Sequence, residues 1–193
     1  MLNLPNMLTL LRVALIPLLV VVFYLPWDAR YLASGAIFGI AALTDLLDGY
    51  LARKLNQETP FGAFLDPVAD KLIVAVALII LLERNPSLAF AIPVIVIISR
   101  EIVISALREW MAEIGDRTSV AVSNIGKIKT TLQMIAIIVL LAFDPAQFAL
   151  LGGLGFVLLY AAALLTLWSM LVYLKIASPQ LLQSSQTKPE NPD

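Results

Sequence analysis

Asp45, Asp48, Asp66 and Asp70 are the residues through which this chain can do chemistry, because their spacing pairs them on two helical faces. Asp45, Asp48, Gly49, Ala52 and Arg53 stand at i, i+3, i+4, i+7 and i+8, one stripe of an α-helix. Gly49 and Ala52 keep that stripe nearly bare of side chain, so a ligand can approach the backbone there. Asp66 and Asp70, at i and i+4 where a further helix is expected to begin around Pro67, form a second pair. Bringing the two helices together converges four carboxylates. In a low dielectric like charges force protonation, and Arg53 alone cannot neutralise four. Divalent metal resolves the repulsion. An all-oxygen donor set selects Mg2+ or Mn2+, with Ca2+ a further option, and two ions shared by four carboxylates make a clamp suited to displacement at phosphorus. The plainer reading, solvated charges or helix caps, suits Asp66 alone, next to Pro67, but not the whole spacing.

The elements that must position these residues belong to a membrane. Of 193 residues 60% are hydrophobic and 14% charged, which places the chain far from the average soluble domain. Thirteen Lys+Arg against 14 Asp+Glu give a net charge of -1, and nothing suggests nucleic acid as a partner. There is no cysteine and no histidine, so thiolate nucleophiles, disulfides, the common zinc sites and imidazole acid/base chemistry are excluded. The apolar start lacks a basic n-region, holds Arg12 inside the run and offers no small-residue cleavage site, so it is expected to be retained.

Six apolar stretches, near 8–25, 31–52, 68–83, 88–111, 126–143 and 149–174, approach the ~20 residues that a hydrocarbon core requires. The expected fold is an all-α integral membrane protein of six transmembrane helices. By alternate loops every Lys and Arg except Arg30 and Arg84 falls on one side, which places both termini in the cytoplasm and the active site at the cytoplasmic side of the bundle. Two domains are expected: residues 1–177 as a six-helix membrane catalytic domain and residues 178–193, rich in Ser, Gln and Pro, as a disordered tail. The bilayer is therefore a partner. Glycines at 35, 39, 152, 153 and 155 permit close helix approach, within one bundle or in a homodimer.

Two more clusters border the motif. Asn6, Thr9 and Arg12 stand at i, i+3 and i+6 at the start of the first span. They can meet a ligand, or Asn6 can cap the helix while Arg12 reaches lipid headgroups. From Ile98 to Gln133 runs a second polar set, with Arg100 and Glu101 deep in the fourth span, Arg108 one face-repeat beyond Glu101, and Lys127 opening the fifth. Cations at a helix start favour an anion. Lys129 and Arg117 suit equally the role of basic anchors, and Arg100 with Glu101 can brace helices as an ion pair.

The pattern Asp45-x2-Asp48-Gly49-x2-Ala52-Arg53-x8-Gly62-x3-Asp66-x3-Asp70 resembles the signature of the CDP-alcohol phosphotransferase family, as does the six-helix layout. That resemblance implies that Asp45, Asp48, Asp66 and Asp70 hold two divalent cations, Mg2+ or Mn2+, across the pyrophosphate of a CDP-linked donor, with Asp70 also the proton acceptor. It implies cytidine-side contacts at Gly49, Arg53 and Thr59, and donor contacts at Asn6 and Thr9. The second cluster, "SREIVISALREWMAE" and "VAVSNIGKIKT" with Gln133, resembles that of bacterial members which join CDP-diacylglycerol to sn-glycerol 3-phosphate and release CMP. The acceptor phosphate is then expected on Arg108, Lys127, Arg100 and Lys129, and the enzyme in the bacterial cytoplasmic (inner) membrane.

Three other readings follow from the same residues. The donor could serve another acceptor, an inositol phosphate or phosphatidylglycerol. A cation or proton transporter would place acids near mid-membrane, often in inverted repeats, whereas these gather at one side with no repeat visible. A purely structural membrane protein built on Gly35-x3-Gly39 leaves the acidic motif unexplained.

Overall fold

The computed structural model describes residues 3–55, 59–113 and 124–184, with the side chains at positions 5, 46, 48–53, 55, 112–113, 124–127 and 176–184 outside the description. Six helices are found among the described residues: α1 Leu4–Tyr24, α2 Arg30–Leu55, α3 Pro60–Arg84, α4 Leu88–Glu113, α5 Asn124–Ala142 and α6 Ala149–Ser184. Local chemistry sets their starts. Asn3 caps α1 by accepting from the Asn6 amide at 3.4 Å, Thr59 caps α3 by accepting from the Gly62 amide at 3.1 Å, and Ser87 accepts from the Phe90 amide at 3.2 Å before α4.

Two sequence expectations shift as a result. The third helix begins at Pro60 instead of near 68, so Asp66 is not a cap and Pro67 lies inside the helix. Thr59 supplies the cap and Pro60 the preferred first position, and Pro67 then forgoes a single backbone hydrogen bond. At the other end of the chain α6 continues to Ser184, beyond the boundary expected at Ser178, and residues 185–193 of the expected tail lie outside the described residues.

All six helices contribute to one core, in which Leu19, Phe38, Leu78, Leu81, Ile97, Ile137, Leu141 and Leu159 are buried. The outward faces are also apolar, with Leu18, Leu32, Leu43, Ile79, Ile95, Val157 and Trp168 exposed. An apolar exterior of this extent is unfavourable in water and ordinary in lipid. Among the described residues three helices are long and apolar enough to cross a membrane, over Asn6–Tyr24, Leu88–Met111 and Ala149–Lys175, while α5 carries a shorter apolar stretch at Ile128–Ala142.

Small residues are consumed inside the bundle. A Cβ on Gly35 would stand 2.6 Å from the Ala142 Cβ, so α2 and α5 touch nearly backbone to backbone there. Gly152 is closed off by Pro145 at 2.9 Å and Gly155 by Leu140 at 2.7 Å, whereas nothing approaches Gly153 within 4 Å.

At the end of α3 remote from the aspartates, Arg84 pairs with Asp144 at 2.9 Å and lies 3.9 Å above the Tyr31 ring. Arg30 reaches the same ring at 4.6 Å and donates to the Tyr31 hydroxyl. Partial burial disfavours the Asp144 charge, but the Ala146 amide and Arg84 outweigh it and hold the carboxyl below its ordinary value.

Candidate active site

The carboxylates converge around a residue from a third helix. Asp45 on α2 and Asp66 and Asp70 on α3 each place an oxygen within 4.8 Å of the others. Arg12 of α1 enters the middle of this group and is 0% exposed. Its Nη1 donates to Asp66 Oδ1 at 3.0 Å and to Asp70 Oδ1, and its Nη2 lies 3.4 Å from Asp45 Oδ1. Such a planar fork can address several carboxylates at once. The aspartates themselves are half-buried, about one third exposed, so the cluster is closed towards α1 and open on its other face.

A second junction ties the start of α1 to the start of α3. Thr59 Oγ1 donates to Asn6 Oδ1 at 3.0 Å while accepting from the Gly62 amide. Gly62 has to be glycine for this to form: a Cβ would meet Asn6 Oδ1 at 2.6 Å and Thr59 Oγ1 at 3.2 Å. Asn6 and Thr9 are both buried, about two turns and one turn before Arg12 on the same helix. Asn3, not Asn6, caps α1, so the capping role weighed for Asn6 in the sequence is filled by its neighbour.

The open face of the aspartates forms one wall of a cavity of ≈ 710 Å³. The rest of the lining comes mostly from α4, with Arg100, Glu101, Ile104, Ser105, Arg108 and Glu109; Lys71 and Val74 of α3 and Thr130, Gln133 and Met134 of α5 add to it. Arg100 is buried and ion-paired with its sequence neighbour Glu101. Both belong to α4, so this pair does not brace two helices. The Arg100 Nε is buried with no hydrogen-bond partner among the described residues. Arg108 lies 5.7 Å from the centre of the Tyr173 ring of α6, whose hydroxyphenyl packs with Ile104, Leu107 and Met111.

The structure thus brings together Asp45, Asp66, Asp70, Arg100 and Arg108 around one cavity, and Asn6 with Thr59 beside it. Lys129 goes elsewhere: it is buried, and its Nζ donates to Ser169 Oγ on α6 at 2.9 Å. Asp48, Gly49 and Arg53 lie on α2 and Lys127 on α5, but their side chains fall outside the described residues, as do all of residues 114–123 with Arg117. Sequence reasoning did not join Arg12 to the aspartates. Its signal was an arginine within an apolar run, where a charge requires a partner. Ser105 and Glu109 were missed as well, although they continue the Glu101 face at intervals of four.

The donor set fits divalent cations. All its atoms are hard oxygens, three carboxylates reach one point, and one guanidinium against three carboxylates leaves two negative charges to be balanced. Asp45, Asp66 and Asp70 would hold the metal.

A carboxylate cluster able to hold divalent metal, in a cavity that also presents Arg100 and Arg108 and in a bundle with an apolar exterior, suits phosphoryl chemistry on an anionic lipid. The family model for CDP-alcohol phosphatidyltransferase matches residues 2–168, and the chain belongs to that family. It is 56% identical over 180 residues to the CDP-diacylglycerol--glycerol-3-phosphate 3-phosphatidyltransferase of Salmonella choleraesuis (strain SC-B67), covering 93% of this chain and 97% of the relative. It is 54% identical to the proteins of the same name from Escherichia coli (strain K12) and Pseudomonas fluorescens, over 93% of this chain and 97% and 92% of theirs.

Proposed function

We propose that this enzyme transfers the phosphatidyl group of CDP-diacylglycerol to sn-glycerol 3-phosphate and releases CMP. The observation that carries the reading is that one cavity is lined both by Asp45, Asp66 and Asp70 and by Arg100 and Arg108. The names and near-full-length identity of the relatives support it. An acceptor that already bears a phosphate dianion requires cations within reach of the site, and Arg100 and Arg108, which line the same cavity as the aspartates, meet that need. Lys127, at the start of α5, completes the cationic set in this reading.

Asp70 accepts the proton of the acceptor's free primary hydroxyl. The oxygen forms a bond to the phosphorus that carries diacylglycerol, and the bond from that phosphorus to CMP breaks. Bound to the aspartates, two divalent cations, Mg2+ or Mn2+, would neutralise the donor pyrophosphate and the departing CMP. Asp48 completes the ligand set, and Gly49, Arg53 and Thr59 take the cytidine side. Asn6 and Thr9 steady the donor where α1 crosses the start of α3, a role supported by the hydrogen bond from Thr59 to Asn6.

In the same reading six helices cross the bacterial inner membrane, both termini are cytoplasmic, and the cavity opens to the cytoplasm and sideways to lipid. The Lys/Arg distribution supports this orientation. The test is turnover by purified protein in detergent with labelled sn-glycerol 3-phosphate and CDP-diacylglycerol. Labelled lipid should form, stop on addition of EDTA and resume with excess Mg2+ or Mn2+. Product formed only from an inositol phosphate or from phosphatidylglycerol would assign the cavity to a different acceptor.

A further inference from the structure

A guanidinium that is fully buried and bonded to three carboxylates from two other helices is more than an anchor for α1. Arg12 contacts Asp45, Asp66 and Asp70, the same three groups whose oxygens converge to within 4.8 Å. We propose that Arg12 is the resident counter-ion of this cluster, a positioning residue that holds the three aspartates together and competes with divalent metal for their charge. The inference rests on the metal-binding reading of those carboxylates and concerns what balances them besides metal.

Two consequences follow from the contacts. Three half-buried carboxylates at this range repel one another, and the fork of Arg12 is what lets α2 and α3 bring them together beside α1. Metal held by the same carboxylates would also be a like charge to the guanidinium, so each would weaken the hold of the other on the aspartates. Linkage makes the effect reciprocal: if metal loosens Arg12, removing Arg12 must tighten metal. Arginine then keeps the site assembled and also keeps metal affinity moderate. Lysine would retain the charge but not the two-pronged geometry.

The experiment compares wild type, Arg12→Gln and Arg12→Lys as full chains in detergent, stripped with EDTA and titrated with Mn2+, reading free Mn2+ by electron paramagnetic resonance and thermal midpoint in parallel. Wild type should bind saturably. Arg12→Gln should melt lower without metal, bind Mn2+ on the order of tenfold more tightly, and gain more in midpoint on saturation than wild type does. Arg12→Lys, its charge intact, should bind Mn2+ close to the wild-type value. Equal or weaker Mn2+ binding by Arg12→Gln would overturn the competition, and so would failure of that variant to fold even in saturating Mn2+, since the guanidinium would then be needed in the metal-bound state too. Absence of saturable binding by wild type would instead remove the metal reading on which the inference stands.

Discussion

Arg108 separates an acceptor site from mere positive charge. It lines the same cavity as the aspartates and lies 5.7 Å from the centre of the Tyr173 ring of α6. If it grips the acceptor phosphate, Arg108→Gln removes a charge-assisted hydrogen bond of about 1.5–3 kcal/mol. The KM for sn-glycerol 3-phosphate should rise roughly tenfold or more, while that for CDP-diacylglycerol stays near wild type; steady-state kinetics with each substrate varied in turn decides it. A rise confined to the donor would place the arginine on the nucleotide instead. At this scale the sequence was informative wherever spacing implies a shared helical face, as for Asp66 and Asp70 or Glu101 and Arg108. It was blind to contacts between helices far apart in the chain. Nothing local to Arg12 shows that its partners lie 54 and 58 residues away, and nothing local to Lys129 shows that Ser169 takes its ammonium.

Among the elements, α2 and α5 are held by a contact that tolerates no added atom. A methyl on Gly35 would stand 2.6 Å from the Ala142 Cβ and 3.0 Å from its Cα, and backbone cannot give way as a side-chain tip does. Gly35→Ala should therefore lower stability by ~1–3 kcal/mol through overpacking, seen as a fall in thermal midpoint in detergent. Ala142→Gly in the same chain should recover part of the loss. A midpoint unchanged by Gly35→Ala would show that α2 and α5 slide apart without cost. The six helices themselves were legible as apolar runs, and α4, from Leu88, begins where expected. The start of α3 was not, because proline was read as the beginning of a helix at Pro67. Thr59 and Pro60 carry the same kind of signal earlier in the chain, and the helix takes the earlier start because threonine there can cap it.

For the whole molecule, the two ends of the bundle differ in chemistry. The aspartates and the cavity they share with Arg100 and Arg108 occupy one, and the Tyr31, Arg84 and Asp144 clasp the other. If both termini are cytoplasmic, as proposed, single cysteines at Asp28, Pro86 and Gln147, all exposed, should react with an impermeant maleimide added outside spheroplasts. Cysteines at Thr59 and Ser119 should react only after the membrane is opened. Outside labelling at position 59 would put the cavity in the wrong compartment. The Lys/Arg asymmetry behind the proposed orientation is visible in the sequence because it needs no tertiary structure, whereas the cavity is not, since it exists only once α3, α4 and α5 are assembled. The buried fork of Arg12 also bears on how the chain is made. In a protein inserted from its first helix onward, Arg12 leaves the ribosome 54 residues ahead of Asp66, an interval of roughly 3–11 s at ~5–20 residues per second. Through that interval the arginine has yet to meet the carboxylates of α3 and has Asp45 of α2 as the first of the three to be made, so the cluster that Arg12 joins is completed only when α3 has followed.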